Sequence, residues 1–69
     1  MKIAVVKVIE ILAESENGWE DAAKNAIMEA SKTVECINQI NIENFKAVVK
    51  DNKIIKYRIN AKVSFVVND

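Results

Sequence analysis

Between Lys53 and Val67 the chain alternates strictly. Every odd position from Ile55 to Val67 is apolar or aromatic, and positions 56, 58, 60, 62 and 64 are polar. Successive strand side chains point to opposite faces, so a period of two makes a ribbon with one greasy and one polar face. The rest of the chain must cover that greasy face.

A strand precedes it. Residues 39–50 carry Ile40, Ile42, Phe45, Ala47, Val48 and Val49, and Asp51-Asn52 separates the two runs. Both residue types tolerate positive φ, so a two-residue hairpin turn is expected. If Lys50 and Lys53 flank the turn as partners, Phe45 faces Arg58, Glu43 faces Asn60, Asn41 faces Lys62 and Gln39 faces Ser64. Ile42 then lies across from Ala61 on the apolar face, and Glu43 is diagonal to Arg58 and Lys62, within salt-bridge reach.

Residues 3–13 form a further strand, rich in Ile and Val. Its polar members Lys7 and Glu10 have opposite parity, so neither face is polar throughout and both call for cover. After the polar Glu14-Ser15-Glu16-Asn17-Gly18 the period changes: Trp19, Ala22, Ala23, Ala26, Ile27, Ala30, Val34 and Ile37 follow helical spacing. This predicts a helix from Trp19 to about Cys36, with Asn17 or Gly18 as N-cap and Glu20 and Asp21 at the positive end of its dipole. Four small alanines let its axis approach a sheet closely. The expected fold class is α+β: a two-layer β-α-β-β unit, one three-stranded antiparallel sheet with one helix on one face, forming a single domain over residues 1–69.

At 69 residues such a domain buries only roughly 60% of its unfolded surface and usually needs disulfides, a metal or oligomerisation. One cysteine, Cys36, makes no internal disulfide, and the lack of histidine excludes the usual zinc sites. Yet 51% of the residues are hydrophobic. One helix covers one side of a sheet, so self-association is the expected source of the remaining cover.

Charge and chemistry narrow the function. Ten basic residues balance ten acidic ones, which disfavours nucleic acid and polybasic membrane binding. The start resembles a signal peptide, but Lys7 and Glu10 interrupt its apolar run, and no stretch reaches transmembrane length; a cytoplasmic location is expected. Without histidine no nucleophile-base pair can be assembled, and Ser15, Ser31, Thr33 and Ser64 lack partner motifs, so the chain reads as a non-enzyme. Trp19 is weighed as a stacking residue against a core anchor, and its place on the apolar stripe favours the anchor. The run Lys50, Lys53, Lys56, Arg58, Lys62 reads as a polar sheet face with cross-strand pairs. Glu14, Glu16, Glu20 and Asp21 cluster around the helix start and are weighed as a site for a hard cation such as calcium, but without the EF-hand pattern an ordinary solvated loop is the favoured reading.

Taken together, several motifs resemble the dodecin family: Ile9-Glu10-Ile11, Trp19-Glu20-Asp21-Ala22-Ala23, Ala30-Ser31-Lys32-Thr33-Val34, Tyr57-Arg58-Ile59 and Lys62-Val63-Ser64-Phe65. The resemblance runs over nearly the whole chain. It implies a hollow homododecamer with helices outward and sheets inward. It also implies storage or buffering of flavins (riboflavin, FMN or lumichrome), stacked in pairs at subunit contacts. The family's stacking tryptophan falls at Gln39, and its glutamine that bonds the isoalloxazine edge falls at Arg58. Both cofactor-binding positions have changed, so the resemblance implies a flavin site lost or weakened, with Arg58 expected to pair with Glu43. Trp19-Glu20 with Tyr57-Arg58-Ile59 looks closer to the flavin-free branch described as calcium dodecins, whose metal ligands the sequence does not place. A flavin-storing dodecin and a structural or regulatory interaction module are the alternatives.

Overall fold

The structure, a computed structural model, describes residues 5–67. It contains β1 (Val5–Ser15), α1 (Trp19–Ala30), β2 (Ile37–Lys50) and β3 (Lys53–Val67). The sheet order is β1-β3-β2, with both pairings antiparallel. The expected β-α-β-β architecture is therefore present, with the alternating strand at the centre. β1 runs two residues past its expected end, to Ser15, and positions 3 and 4 fall outside the described residues.

The core is small and made largely of alanine. Ala22, Ala26 and Ala30 of α1 pack over Ala13, Ile59, Ala61 and Val63, and Ile59, Ala61 and Val63 are completely buried. Short helix side chains bring the axis down onto the β3 alternation, as expected. α1 lies mainly over β1 and β3, leaving the helix side of β2 less covered.

Gly18 is the N-cap. Its φ of 143° and ψ of 172° lie in a region essentially open only to glycine, and its carbonyl accepts from Ala22 N at 3.0 Å. An added Cβ would meet nothing, so the requirement at Gly18 is conformational and not spatial.

The helix ends at Ala30, six residues before the expected Cys36. Ser31 Oγ donates to Met28 O and Thr33 Oγ1 to Ala30 O, and these hydroxyls compete with helix continuation. Residues 31–33 form a turn, and Cys36, with φ at 61°, redirects the chain into β2. Val34 and Ile37, which extend the helical spacing, thus lie beyond the helix.

The hairpin turns at Asp51-Asn52 with φ values of 53° and 63°, the left-handed pair of a type I′ turn. Lys50 pairs with Lys53, and Ile42, Asn41 and Gln39 pair with Ala61, Lys62 and Ser64 as expected. Between them the register differs. Phe45 faces Ile59 and Lys46 faces Arg58, because β2 carries an extra residue at Glu43 and β3 carries one at Ile55. The two bulges cancel, so the turn and the stretch from Gln39 to Ile42 keep the expected register, and a third extra residue, Asn38, moves Ile37 opposite Phe65. The middle moves by one residue, which places Phe45 and Ala47 on the helix side of the sheet rather than on the opposite face.

The sheet is much longer than its helix. The molecule extends 57 Å, whereas twelve helical residues cover about 18 Å. The β2–β3 hairpin from Phe45 to Arg58 projects as an arm past the start of α1, and Phe45, Val49 and Ile54 on it are 62%, 61% and 50% exposed.

Candidate functional site

The face of the sheet turned away from α1, here the open face, carries the two positions singled out from sequence. β3 supplies its axis with Lys56, Arg58, Asn60, Lys62 and Ser64. The registers cross that axis with three rows: Glu14–Arg58–Lys46, Leu12–Asn60–Asn44, and Glu10–Lys62–Asn41. Val6, Val8 and Leu12 of β1 are exposed on the same face, which fits a strand whose two sides both call for cover.

Arg58 is held within the sheet. Its Nε donates to Glu14 Oε1 at 2.5 Å, and Lys56 Nζ lies 3.8 Å from Glu14 Oε2. The hydrogen bond from Arg58 holds the Glu14 carboxyl below its ordinary range, with the Arg58 and Lys56 charges adding to the effect. The expected partner, Glu43, instead binds Lys62 Nζ at 3.1 Å, and Glu43 and then Glu10 raise the Lys62 ammonium above its usual value. The cause is the bulge: Glu43 has no residue directly opposite it and so reaches diagonally to Lys62, while the shifted register places Lys46 beside Arg58.

Gln39 is exposed on the same open face, opposite Ser64. Six positions of β3 separate Ser64 from Arg58, roughly 20 Å at strand rise. The structure therefore puts Gln39 and Arg58 on one face without bringing them together in one subunit. Between them Asn60 Oδ1 is buried with no hydrogen-bond partner among the described residues. That group was not singled out from sequence. Its only signal was a carboxamide in the middle of the polar face.

The acidic loop does not converge. Glu14 turns to the open face, and Asp21 accepts from Ser15 Oγ, which in turn accepts from Asn17 N. Asn25 Nδ2 donates to Glu14 O and ties the helix to the end of β1. Among the described residues no group of three or more acidic or cysteine side chains is placed to hold a metal ion.

Trp19 is the link between helix and arm. Its ring stands edge-on to Tyr57 at 4.9 Å and to Phe45 at 5.9 Å, and Nε1 donates to Lys46 O at 2.9 Å. At 36% exposed it anchors at the rim rather than the centre of the core. Cys36 is exposed and free, beside a shallow pocket bounded by Thr33, Glu35 and Phe65. Among the described residues no helix is long and apolar enough to cross a membrane.

Comparison with known proteins completes the picture. The family model described as dodecin matches residues 5–68. Calcium dodecin of Mycobacterium tuberculosis is 35% identical over 63 residues, covering 91% of this chain and 89% of that protein. Its crystal structure, described as that of a calcium-chelating antigen with a calcium-binding site, superposes with a TM-score of 0.78 at 36% identity, over 88% of this chain and 87% of that one. Dodecin from Streptomyces coelicolor shares the fold with a TM-score of 0.92 at 20% identity, over 100% and 99% of the two chains. By this match along almost its whole length, the chain belongs to the dodecin family of small-ligand-binding proteins, which are not enzymes.

Proposed function

We propose that this chain is a single cytoplasmic domain, residues 1–69, that assembles with itself into a hollow dodecameric shell and binds or stores a small ligand there, with the usual flavin site lost or weakened. The observation that carries the reading is Arg58, which occupies the flavin-contact position and is engaged by Glu14, a carboxylate that Lys56 also approaches. A flavin approaching it must break or share that ion pair. At the other contact position Gln39 offers no aromatic platform, and stacking on such a platform contributes on the order of 1–3 kcal/mol per ring. The separation of Gln39 from Arg58 along β3 means that one ligand meets both only between copies. The exposed Val6, Val8 and Leu12 support self-association on the open face.

Titration of riboflavin and FMN with the purified protein, followed by flavin fluorescence, tests the reading. No quenching at submicromolar protein is expected. Submicromolar quenching overturns the loss of the site and restores flavin storage. Native mass spectrometry tests the shell, and a monomer or dimer would favour an interaction module instead.

Calcium is the second reading, favoured by the relative that bears that name at 35% identity. Because Glu14, Glu16, Glu20 and Asp21 do not meet in one subunit, such a site would draw ligands from more than one copy. Saturable calcium-dependent stabilisation supports it, and an unchanged melting temperature at millimolar calcium counts against it.

A further inference from the structure

The zero net charge of the chain conceals two opposed poles. Residues 14–35, the helix and its flanks, hold six acids against two lysines, and residues 46–58, the arm, hold five bases against the single acid Asp51. Within the chain Glu14 pairs with Arg58 and Lys56, and Glu29 with Lys32. Among the described residues Lys46, Lys50 and Lys53 on the arm, and Glu16 and Glu20 at the helix start, have no ion-pair partner.

Each pole also carries uncovered apolar surface. Beside α1, where the helix leaves β2 bare, Ala23, Ile27, Met28 and Ile40 line a groove of about 470 Å³ rimmed by Glu20 and Lys24. Met28 is 60% exposed there. At the end of the arm Val49, Ile54 and Ile55 are exposed next to Lys50 and Lys53.

We propose that the arm of one copy lies in the helix-side groove of the next, Ile54 and Ile55 against Met28 and Ile40, with Lys50 and Lys53 facing Glu16 and Glu20. The occupant is a second copy because the two poles are opposite in sign and equal in formal size, four charges each, and both belong to the same chain. The charges also exclude contacts between like surfaces, since arm on arm or helix on helix would set like charge on like. The contact therefore joins unlike surfaces, arm to groove, either reciprocally between two copies or in repetition around a ring. This rests on the self-assembly reading and adds which surfaces meet.

The test is a charge swap at four exposed positions, read by native mass spectrometry at low ionic strength. The variants K50E/K53E and E16K/E20K should each lose the largest assembled species. The fourfold variant carrying both pairs should regain it. A second test removes the apolar part: I54D/I55D and M28D should each assemble less far than wild type. Their mixture should form a one-to-one pair, since each retains the surface the other has lost. Double variants that assemble like wild type, or a fourfold variant that does not recover, overturn the proposal. A monomeric wild type overturns the self-assembly reading with it, whereas an assembled wild type with indifferent variants overturns only the arm-to-groove contact.

Discussion

The two halves of the β2–β3 hairpin are continuous ladder but differ in what covers them. Under α1, Ile59, Ala61 and Val63 are sealed beneath three alanines, and the sheet there has an inside. Along the arm, Phe45, Val49 and Ile54 occupy the same side of the same sheet with no helix above them. Local propensity serves both halves equally well, since a type I′ turn and β-branched residues make the arm a good hairpin. Burial separates them. The covered half stabilises the subunit, and the arm leaves apolar surface for something outside it.

Substitution can break that contrast, most sharply with a matched pair. Ile59→Ala removes a fully buried side chain and should cost about 2–5 kcal/mol of subunit stability in urea denaturation. Ile54→Ala on the arm should stay within about 0.5 kcal/mol under conditions that keep subunits apart. Equal costs would mean that the arm is not the uncovered half. Next in size, Gly18→Ala at the start of the covering helix should cost about 1–3 kcal/mol, because alanine must adopt a backbone region that its Cβ disfavours.

Trp19→Phe tests the seam between the halves. It keeps a ring against Tyr57 and Phe45 but removes the bond from Nε1 to Lys46 O, for about 0.5–1.5 kcal/mol. Faster amide exchange in the arm than in the covered half would show that the seam is what steadies the arm. The smallest effect belongs to the open face. The folded state lowers the Glu14 pKa, so its stabilising contribution is present above the ordinary carboxyl value of 4.5 and is lost as pH falls through the depressed folded value. Melting curves of wild type and Glu14→Gln should therefore differ near neutrality and converge on acidification below 4.5. A gap that persists in acid would assign the Glu14 effect to packing and not to its charge.

Much of this fold was legible in the residues. The β3 alternation named its own faces, Asp51-Asn52 named the turn, and the change of period at Trp19 marked the helix start. The helix end was not legible, because Val34 and Ile37 continue the helical spacing while the Ser31 and Thr33 hydroxyls stop the helix locally. The bulges left no mark either. Glu43 and Ile55 are ordinary strand residues, with no glycine or proline to flag an extra position, and only packing decides where a ladder takes up a residue. The error in the site followed directly: with the register moved by one, the partner of Arg58 became Glu14 instead of Glu43. Gln39 and Arg58 were correctly placed on one face, but a parity argument carries no information about distance along a strand.

The bulges have one more consequence, at the rim of the sheet. β1 and β2 are both outer strands, and each presents backbone N–H and C=O groups to whatever passes. On β2 that row is broken at Asn38 and again at Glu43, and Lys46 and Lys50 add charge beside it. An incoming strand finds no long, even template there. β1 pairs with β3 for eleven residues without a shift and carries Val5, Val6, Val8 and Leu12 exposed along it. When subunits stand alone, during synthesis or after dilution, unwanted strand addition leading to aggregation should therefore begin on β1.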